Sequence, residues 1–139
     1  MKHLIIAAFL AATQAGASEL NVVDSSALTV VDGDTVRLGE ERIRLEGPDS
    51  PEIYHPRCDH EIDVAMQAKD KLEEILAGKS IRIERHGIDR YHRTLAELFL
   101  PDGSEAGDLM IHSGLAVRWA PGRVAWLDRA KHWCPDYQE

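Results

Sequence analysis

The amino-acid sequence predicts an α+β domain built on a five-stranded barrel with about three helices. Three short β-rich runs, separated by residues typical of tight turns, come first; one helical stretch and two more β-rich runs follow. This order is that of the OB-fold, a Greek-key barrel with one helix between its third and fourth strands. Because many functions share this fold, the function has to be inferred from particular residues.

The first three strands are predicted from β-branched runs on either side of two turns. Asp32-Gly33 is a strong hairpin signal between such runs, and Gly39-Glu40 marks a second tight turn. We assign the strands to residues 27–31, 35–38 and 41–45. On the third strand, alternation puts Ile43 and Leu45 on one face and Arg42 and Arg44 on the other.

Beyond the third strand, Pro48 and Pro51 predict a stiff loop without regular pairing. An amphipathic helix follows, capped by Asp59 and ended by Gly78. Its apolar positions recur at helical spacing at Ile62, Ala65, Met66, Leu72, Ile75 and Leu76. The remaining elements are strands over 80–85 and 94–100, a short helix over about 105–112, an extended piece at 117–119 and a helical stripe over 124–133.

The N-terminal residues are typical of an export signal. A basic start precedes an apolar run over residues 4–12 that is too short to span a bilayer, and Ala15-Gly16-Ala17 suits a signal peptidase. We expect a signal peptide over 1–17 and one domain over 18–139, secreted or periplasmic and without a membrane segment. A buried N-terminal helix is the alternative.

Two cysteines, Cys58 and Cys134, are most simply a disulfide in an exported protein. The alternative is a metal site that joins Cys58 to His55 and His60, but this spacing matches no established zinc pattern. The net charge of -8 opposes general attraction to polyanions, so binding to a nucleic acid would require clustered arginines or a bound metal ion.

Two stretches carry side chains suited to phosphate chemistry. Residues 32–52 contain Asp34, Asp49 and Glu52 together with Arg44, and residues 89–94 contain two arginines and a tyrosine. Carboxylates hold divalent cations, and the planar guanidinium matches phosphate oxygens. Together the two stretches would form a metal-assisted site for a phosphate ester. Taken alone, each acid is better explained as a turn residue than as a ligand.

In order and spacing, these stretches resemble the staphylococcal (thermonuclease-like) nuclease family from about Leu28 to Trp119. The matching segments are Val31-Asp32-Gly33-Asp34-Thr35, Arg42-Ile43-Arg44-Leu45, Asp49-Ser50-Pro51-Glu52, Asp89-Arg90-Tyr91-His92-Arg93 and Gly114-Leu115-Ala116. The resemblance implies an OB-fold nuclease that uses calcium to hydrolyse DNA or RNA and leaves 3′-phosphate ends.

The resemblance also implies a set of metal ligands and a base. Asp34 and Asp49 would be the carboxylate ligands of Ca²⁺, and Ser50, at a position that is usually threonine in the family, would offer its backbone carbonyl. Glu52 would be the general base that acts on a water associated with the metal.

For the substrate, the resemblance implies that Arg44 and Arg93 bind the scissile phosphate, with Arg90 and Tyr91 near the neighbouring phosphate. His92 departs from the family pattern, because glycine is common there. If the position requires a positive φ, histidine introduces strain that could shift Arg93.

The family's base-flanking tyrosines have no counterpart after Gly114; Trp119 is the nearest aromatic residue and could stack on a base or belong to the core. Two other functions stay open. One is a non-catalytic OB-fold module that binds single-stranded nucleic acid, and the other is a structural or interaction domain of the cell envelope. We expect a monomer.

Overall fold

The computed structural model of the chain describes residues 21–138. The strands are β1 (Val22–Asp24), β2 (Leu28–Asp32), β3 (Thr35–Leu38), β4 (Glu41–Leu45), β5 (Pro48–Asp49), β6 (Ser80–Ile88), β7 (Thr94–Phe99) and β8 (Val117–Arg118). The α-helices are α1 (Asp59–Leu76), α2 (Ala106–His112) and α3 (Arg123–Trp133). Six strands form one mixed sheet in the order β1-β6-β7-β4-β3-β2, and β5 pairs with β8.

The two edge strands of the large sheet are consecutive in the chain. One 3₁₀ turn, Ser25–Ala27, separates β1 from β2, yet β1 pairs with β6 and β2 pairs with β3. One bent strand therefore joins both edges and curls the sheet. Counted as a single strand, it completes with β3, β4, β6 and β7 the five strands of the OB-fold, and the predicted α+β class is confirmed.

The core lies between the curled sheet and α1. Ile43, Ile81 and Leu98 from three strands are fully buried, as is Leu72 from the helix. Burial of this apolar surface is the main stabilising term for the domain. The alternation predicted for β4 holds for Arg42, which is exposed. Arg44 on the same face is buried, because it pairs with Asp34 and Asp49.

Local predictions were wrong at four places. Met66, expected on the apolar face of the helix, is 45% exposed. The first tight turn is formed by residues 33 and 34 and not by residues 32 and 33, because Asp32 pairs with Thr35.

The residue that caps α1 is Cys58, whose side chain makes no capping hydrogen bond, and Asp59 is the first helical residue. The loop after β4 is also paired, because Pro48 lies opposite Arg118. Proline lacks an N–H donor but not an acceptor, and the pairing continues through the Trp119 N–H, which donates to the Gly47 carbonyl at 2.7 Å.

The predicted disulfide is present and joins Cys58, just before α1, to Cys134, just after α3, with 6.0 Å between the Cα atoms. It ties the last helix to the start of the first. The predicted signal peptide lies outside the described residues. Within residues 21–138, no helix is both long and apolar enough to cross a membrane.

Candidate active site

One cleft of about 670 Å³ is lined by all the residues predicted to hold a metal, act on water or bind phosphate. They are Asp34, Arg44, Asp49, Ser50, Glu52, Arg90, Tyr91 and Arg93. The topology explains why the two halves of the chain meet. Strands β4 and β7 are parallel neighbours with Ile43 opposite Thr94, so the strand that carries Arg44 lies beside the start of the strand that follows Arg93.

Arg44 is the centre of the cleft and is only 8% exposed. Its Nη1 donates to the carbonyl oxygens of Leu45 and Pro48 at 2.7 and 2.8 Å. Its Nη2 lies 3.2 Å from Asp49 Oδ1 and 3.4 Å from Asp34 Oδ2. Two backbone carbonyls therefore fix the guanidinium so that one edge contacts both predicted metal ligands.

Asp34 is held from two sides. The Ser50 N–H donates to its Oδ2 at 2.8 Å and the Thr35 hydroxyl donates to its Oδ1 at 2.9 Å. Gly33 allows this close packing, because a Cβ there would lie 2.7 Å from Ala68 Cβ and 2.8 Å from Ser50 Cβ. Lack of space for a side chain therefore explains the glycine of the Asp-Gly-Asp motif.

The carboxylates of the cleft are partly buried and repel one another. Burial, and then the charge of Asp34, raises the pKa of Asp32 to about 7. Burial, and then repulsion from Asp34, likewise raises the pKa values of Asp49 and Glu52. A nearby cation would relieve this repulsion.

Glu52 is positioned through its backbone by a buried ion pair. Its N–H donates at 3.2 Å to Oε1 of Glu61, a carboxylate with no exposed side-chain surface. Arg57 donates to Glu61 Oε2 from its backbone N–H and from Nε, and its Nη2 contacts Oε1. Glu61 thereby connects the first turn of α1 to the loop that carries the predicted base.

The loop before β7 is organised by Asp89. Its Oδ1 accepts the backbone N–H groups of Tyr91 and Arg93, and its Oδ2 accepts Arg93 Nε at 2.8 Å. The Arg90 and Arg93 guanidinium carbons lie 4.8 and 5.5 Å from the centre of the Tyr91 ring. His92 has φ 59°, so this position has the left-handed backbone that favours glycine.

Sequence reasoning missed four residues of the site: Asp32, Arg57, Glu61 and Arg129. Asp32 was assigned only to the turn, although it lies two residues before Asp34 and lines the same cleft. Arg129 comes from α3, and its Nε lies 2.9 Å from Asp49 Oδ2. Nothing in its local sequence signals a contact with a residue 80 positions earlier.

Among the described residues of the cleft, no three His, Cys, Asp or Glu side chains have their donor atoms within 4.8 Å of one another. Within residues 21–138, three His or acidic side chains with donor atoms all within 4.8 Å of one another occur at Glu84, His86 and Glu97, on β6 and β7 outside this cleft. In the cleft, Arg44 lies between Asp34 and Asp49 and pairs with both.

A family model described as "Staphylococcal nuclease homologue" matches residues 42–128. The chain belongs to the staphylococcal nuclease family. Succinoglycan biosynthesis protein ExoI of Rhizobium meliloti (strain 1021) is 32% identical over 117 residues, covering 81% of this chain and 60% of that protein. A protein of Escherichia coli O157:H7 named "Uncharacterized endonuclease" is 31% identical over 91 residues, covering 63% of this chain and 55% of that protein.

A more distant relative, a 38.1 kDa protein of Capnoides sempervirens, is 26% identical over 125 residues, covering 85% of this chain and 35% of that protein. This staphylococcal nuclease domain therefore spans at most 60% of the length of the relatives it matches. The predicted family and its OB-fold are confirmed, and a nuclease-like function is supported. The individual roles of the site residues stay predictions.

Proposed function

We propose that the chain is a calcium-dependent nuclease that hydrolyses phosphodiester bonds of DNA or RNA and leaves 3′-phosphate ends. The observation that carries this proposal is the shared cleft, in which Asp34, Asp49 and Glu52 lie with Arg44 and Arg93. Membership of the staphylococcal nuclease family and a relative named as an endonuclease support the same reaction class.

The donor set fits a calcium ion. Asp34, Asp49 and the Ser50 carbonyl would supply only oxygen ligands, which Ca²⁺ prefers, and so few ligands would leave room for water. Because the acids repel one another, a bound cation would stabilise the site. When bound, the ion would neutralise charge on the phosphate and lower the pKa of a coordinated water.

The side chains of the chain supply the remaining chemistry. Glu52 accepts the proton of the attacking water, and its raised pKa makes it a stronger base than an exposed glutamate as long as it stays ionised. Arg44 and Arg93 bind the phosphate oxygens and stabilise the charge that accumulates there. Each guanidinium is worth about 3 to 4 kcal/mol if it matches an oxyanion-hole donor.

The location of the enzyme is part of the proposal. The export signal expected over residues 1–17 would direct the chain out of the cytoplasm, and the Cys58–Cys134 disulfide suits an oxidising compartment. Secretion, or retention in a periplasm, is tested by expressing the full chain and assigning the N-terminus of the exported protein. An N-terminus at Ser18 supports the proposal, and a chain that keeps residue 1 and stays in the cytoplasm contradicts it.

The activity test uses single-stranded DNA or RNA with added Ca²⁺, with EDTA, and with variants. We expect cleavage that needs Ca²⁺ and falls by about 10²- to 10³-fold in Glu52→Gln and Arg93→Ala. Matched controls are Glu74→Gln on the exposed face of α1 and Arg37→Ala on the exposed face of β3, which should keep wild-type activity. Binding without cleavage at every Ca²⁺ concentration would instead identify the non-catalytic OB-fold module.

A further inference from the structure

Arg44 contacts both predicted calcium ligands, and a second arginine, Arg129 of α3, contacts one of them, Asp49. Arg129 Nε lies 2.9 Å from Asp49 Oδ2, and its Nη1 donates to the Ala120 carbonyl at 2.8 Å. Its side chain is 12% exposed and that of Asp49 is 25% exposed. The geometry is that of a partly buried, oriented ion pair and not of a mobile surface contact.

The two oxygens of Asp49 are thereby both paired with guanidinium groups. Oδ1 lies 3.2 Å from Arg44 Nη2, and Oδ2 is held by Arg129. A divalent cation that used Asp49 as a ligand would have to bind next to both positive charges or displace one of them. Arg44 is fixed by two backbone carbonyls, so Arg129 is the contact more readily displaced.

We propose that Arg129 sets the calcium affinity of the site by competing with the cation for Asp49. This inference rests on the proposed function, because it takes Asp49 as a ligand. In the absence of metal, Arg129 neutralises Asp49 and stabilises the empty cleft. When the cation binds, it takes over this neutralisation, and the Arg129 charge works against it.

The disulfide explains how Arg129, on the surface of α3, is kept in contact with Asp49. α3 buries only Ala130 and Trp133 of its own residues, so its apolar contact with the domain is small. Cys134, the residue after the helix, is bonded to Cys58 and is five residues after Arg129. The bond thus anchors α3 close to the point where Arg129 reaches Asp49.

The size of the effect is taken from the way that a neighbouring charge changes proton binding by a carboxylate. A charge within about 4 to 6 Å changes the affinity of a carboxylate for a proton by about 10- to 1000-fold. We therefore expect removal of the Arg129 charge to tighten calcium binding by about 10- to 100-fold. A residue that only oriented Asp49 would have the opposite effect, because its removal would weaken binding.

The test measures Ca²⁺ binding by isothermal titration calorimetry of the disulfide-bonded protein without nucleic acid. Arg129→Gln and Arg129→Met should bind Ca²⁺ at least tenfold more tightly than wild type, whereas Arg129→Lys, which keeps the charge, should stay close to wild type. Lys131→Gln removes the same charge from an exposed position of α3 and should leave the dissociation constant within about threefold.

A second measurement is thermal unfolding with EDTA and with saturating Ca²⁺. Arg129→Gln should melt below wild type in EDTA, because Asp49 loses a partner, and this difference should shrink or reverse when calcium is bound. Unchanged or weaker binding in both Arg129→Gln and Arg129→Met would overturn the inference. If wild type itself neither binds Ca²⁺ nor cleaves with it, the proposed function fails. If wild type does both and the two Arg129 variants bind Ca²⁺ no more tightly, only the role of Arg129 is refuted.

Discussion

Substitution of Glu61 by glutamine tests the buried ion pair that supports the loop with the predicted base. Glu61 has no exposed side-chain surface and accepts hydrogen bonds from the Glu52 backbone and from Arg57. Glutamine keeps the shape but removes the charge and directs an NH₂ group toward Arg57 donors. Breaking a buried pair on one side costs about 3 to 5 kcal/mol, and we expect the lower end because Arg57 is 16% exposed.

The pH dependence of this effect has a definite sign. Burial alone would raise the pKa of Glu61, but the hydrogen bonds from Arg57 and from the Glu52 N–H outweigh it and lower the pKa below the ordinary value. The carboxylate therefore contributes its full stability above its unfolded-state pKa of about 4.3, and loses it as the pH falls through the lower native value. The difference between wild type and Glu61→Gln should be constant from pH 6 to 8 and shrink in acid.

The assay is urea unfolding followed by circular dichroism at pH 7 and at several pH values down to 3, with the disulfide intact. At pH 7 we expect Glu61→Gln to lose about 3 kcal/mol, or roughly 10 °C in melting temperature for a domain of this size. Glu74→Gln removes an exposed carboxylate of the same helix and should lose less than about 1 kcal/mol. A loss below 1 kcal/mol at pH 7 for Glu61→Gln, or a gap as large at pH 3 as at pH 7, would refute the reasoning.

Substitutions at three further positions test the packing, the backbone and the arginine geometry of the site. Gly33→Ala places a methyl group against Ala68 and Ser50, so it should destabilise the fold by about 1 to 3 kcal/mol in urea unfolding; unchanged stability would contradict the close approach. His92→Val should lose about 1 to 2 kcal/mol because of the positive φ, while His92→Gly should lose none; equal effects would exclude backbone strain. A lysine at position 44 cannot contact the Leu45 and Pro48 carbonyls and both acids, Asp34 and Asp49, at once. DNA cleavage by Arg44→Lys should therefore fall by at least about 100-fold. Retention of most activity would show that a positive charge alone suffices.

Local sequence signals predicted the elements whose stability is local. The hairpin between β2 and β3, the helix that ends before Gly78 and the strand from Thr94 all follow from turn chemistry or periodicity within about ten residues. The turn of that hairpin lies one residue later than predicted. The prediction failed where a partner lies far along the chain. Pro48 pairs with Arg118, and Val23 pairs with Ile81, and no local pattern in either segment specifies such partners.

The same distinction applies to the site. Motif resemblance identified the residues that share short segments, such as Asp34 and Arg44, because their spacing is fixed along one hairpin. Arg129 contacts a residue 80 positions earlier, and Glu61 accepts several hydrogen bonds from the loop that precedes its helix. The sequence contexts of both are those of ordinary helix residues. An acid in the first turn of a helix is ordinarily explained by the helix dipole, whereas Glu61 is fully buried and accepts hydrogen bonds from Arg57 and from the Glu52 N–H.

The charge distribution accounts for how an acidic chain can accommodate a polyanion. The chain has a net charge of -8, but the arginines that line the cleft outnumber its acids by six to four. These arginines are Arg44, Arg57, Arg90, Arg93, Arg123 and Arg129. Part of this positive charge is used internally, since Arg44 and Arg129 neutralise Asp49. A bound cation would take over that neutralisation and make the guanidiniums available to phosphate oxygens, so the site would attract a nucleic acid most strongly once the metal ion is in place.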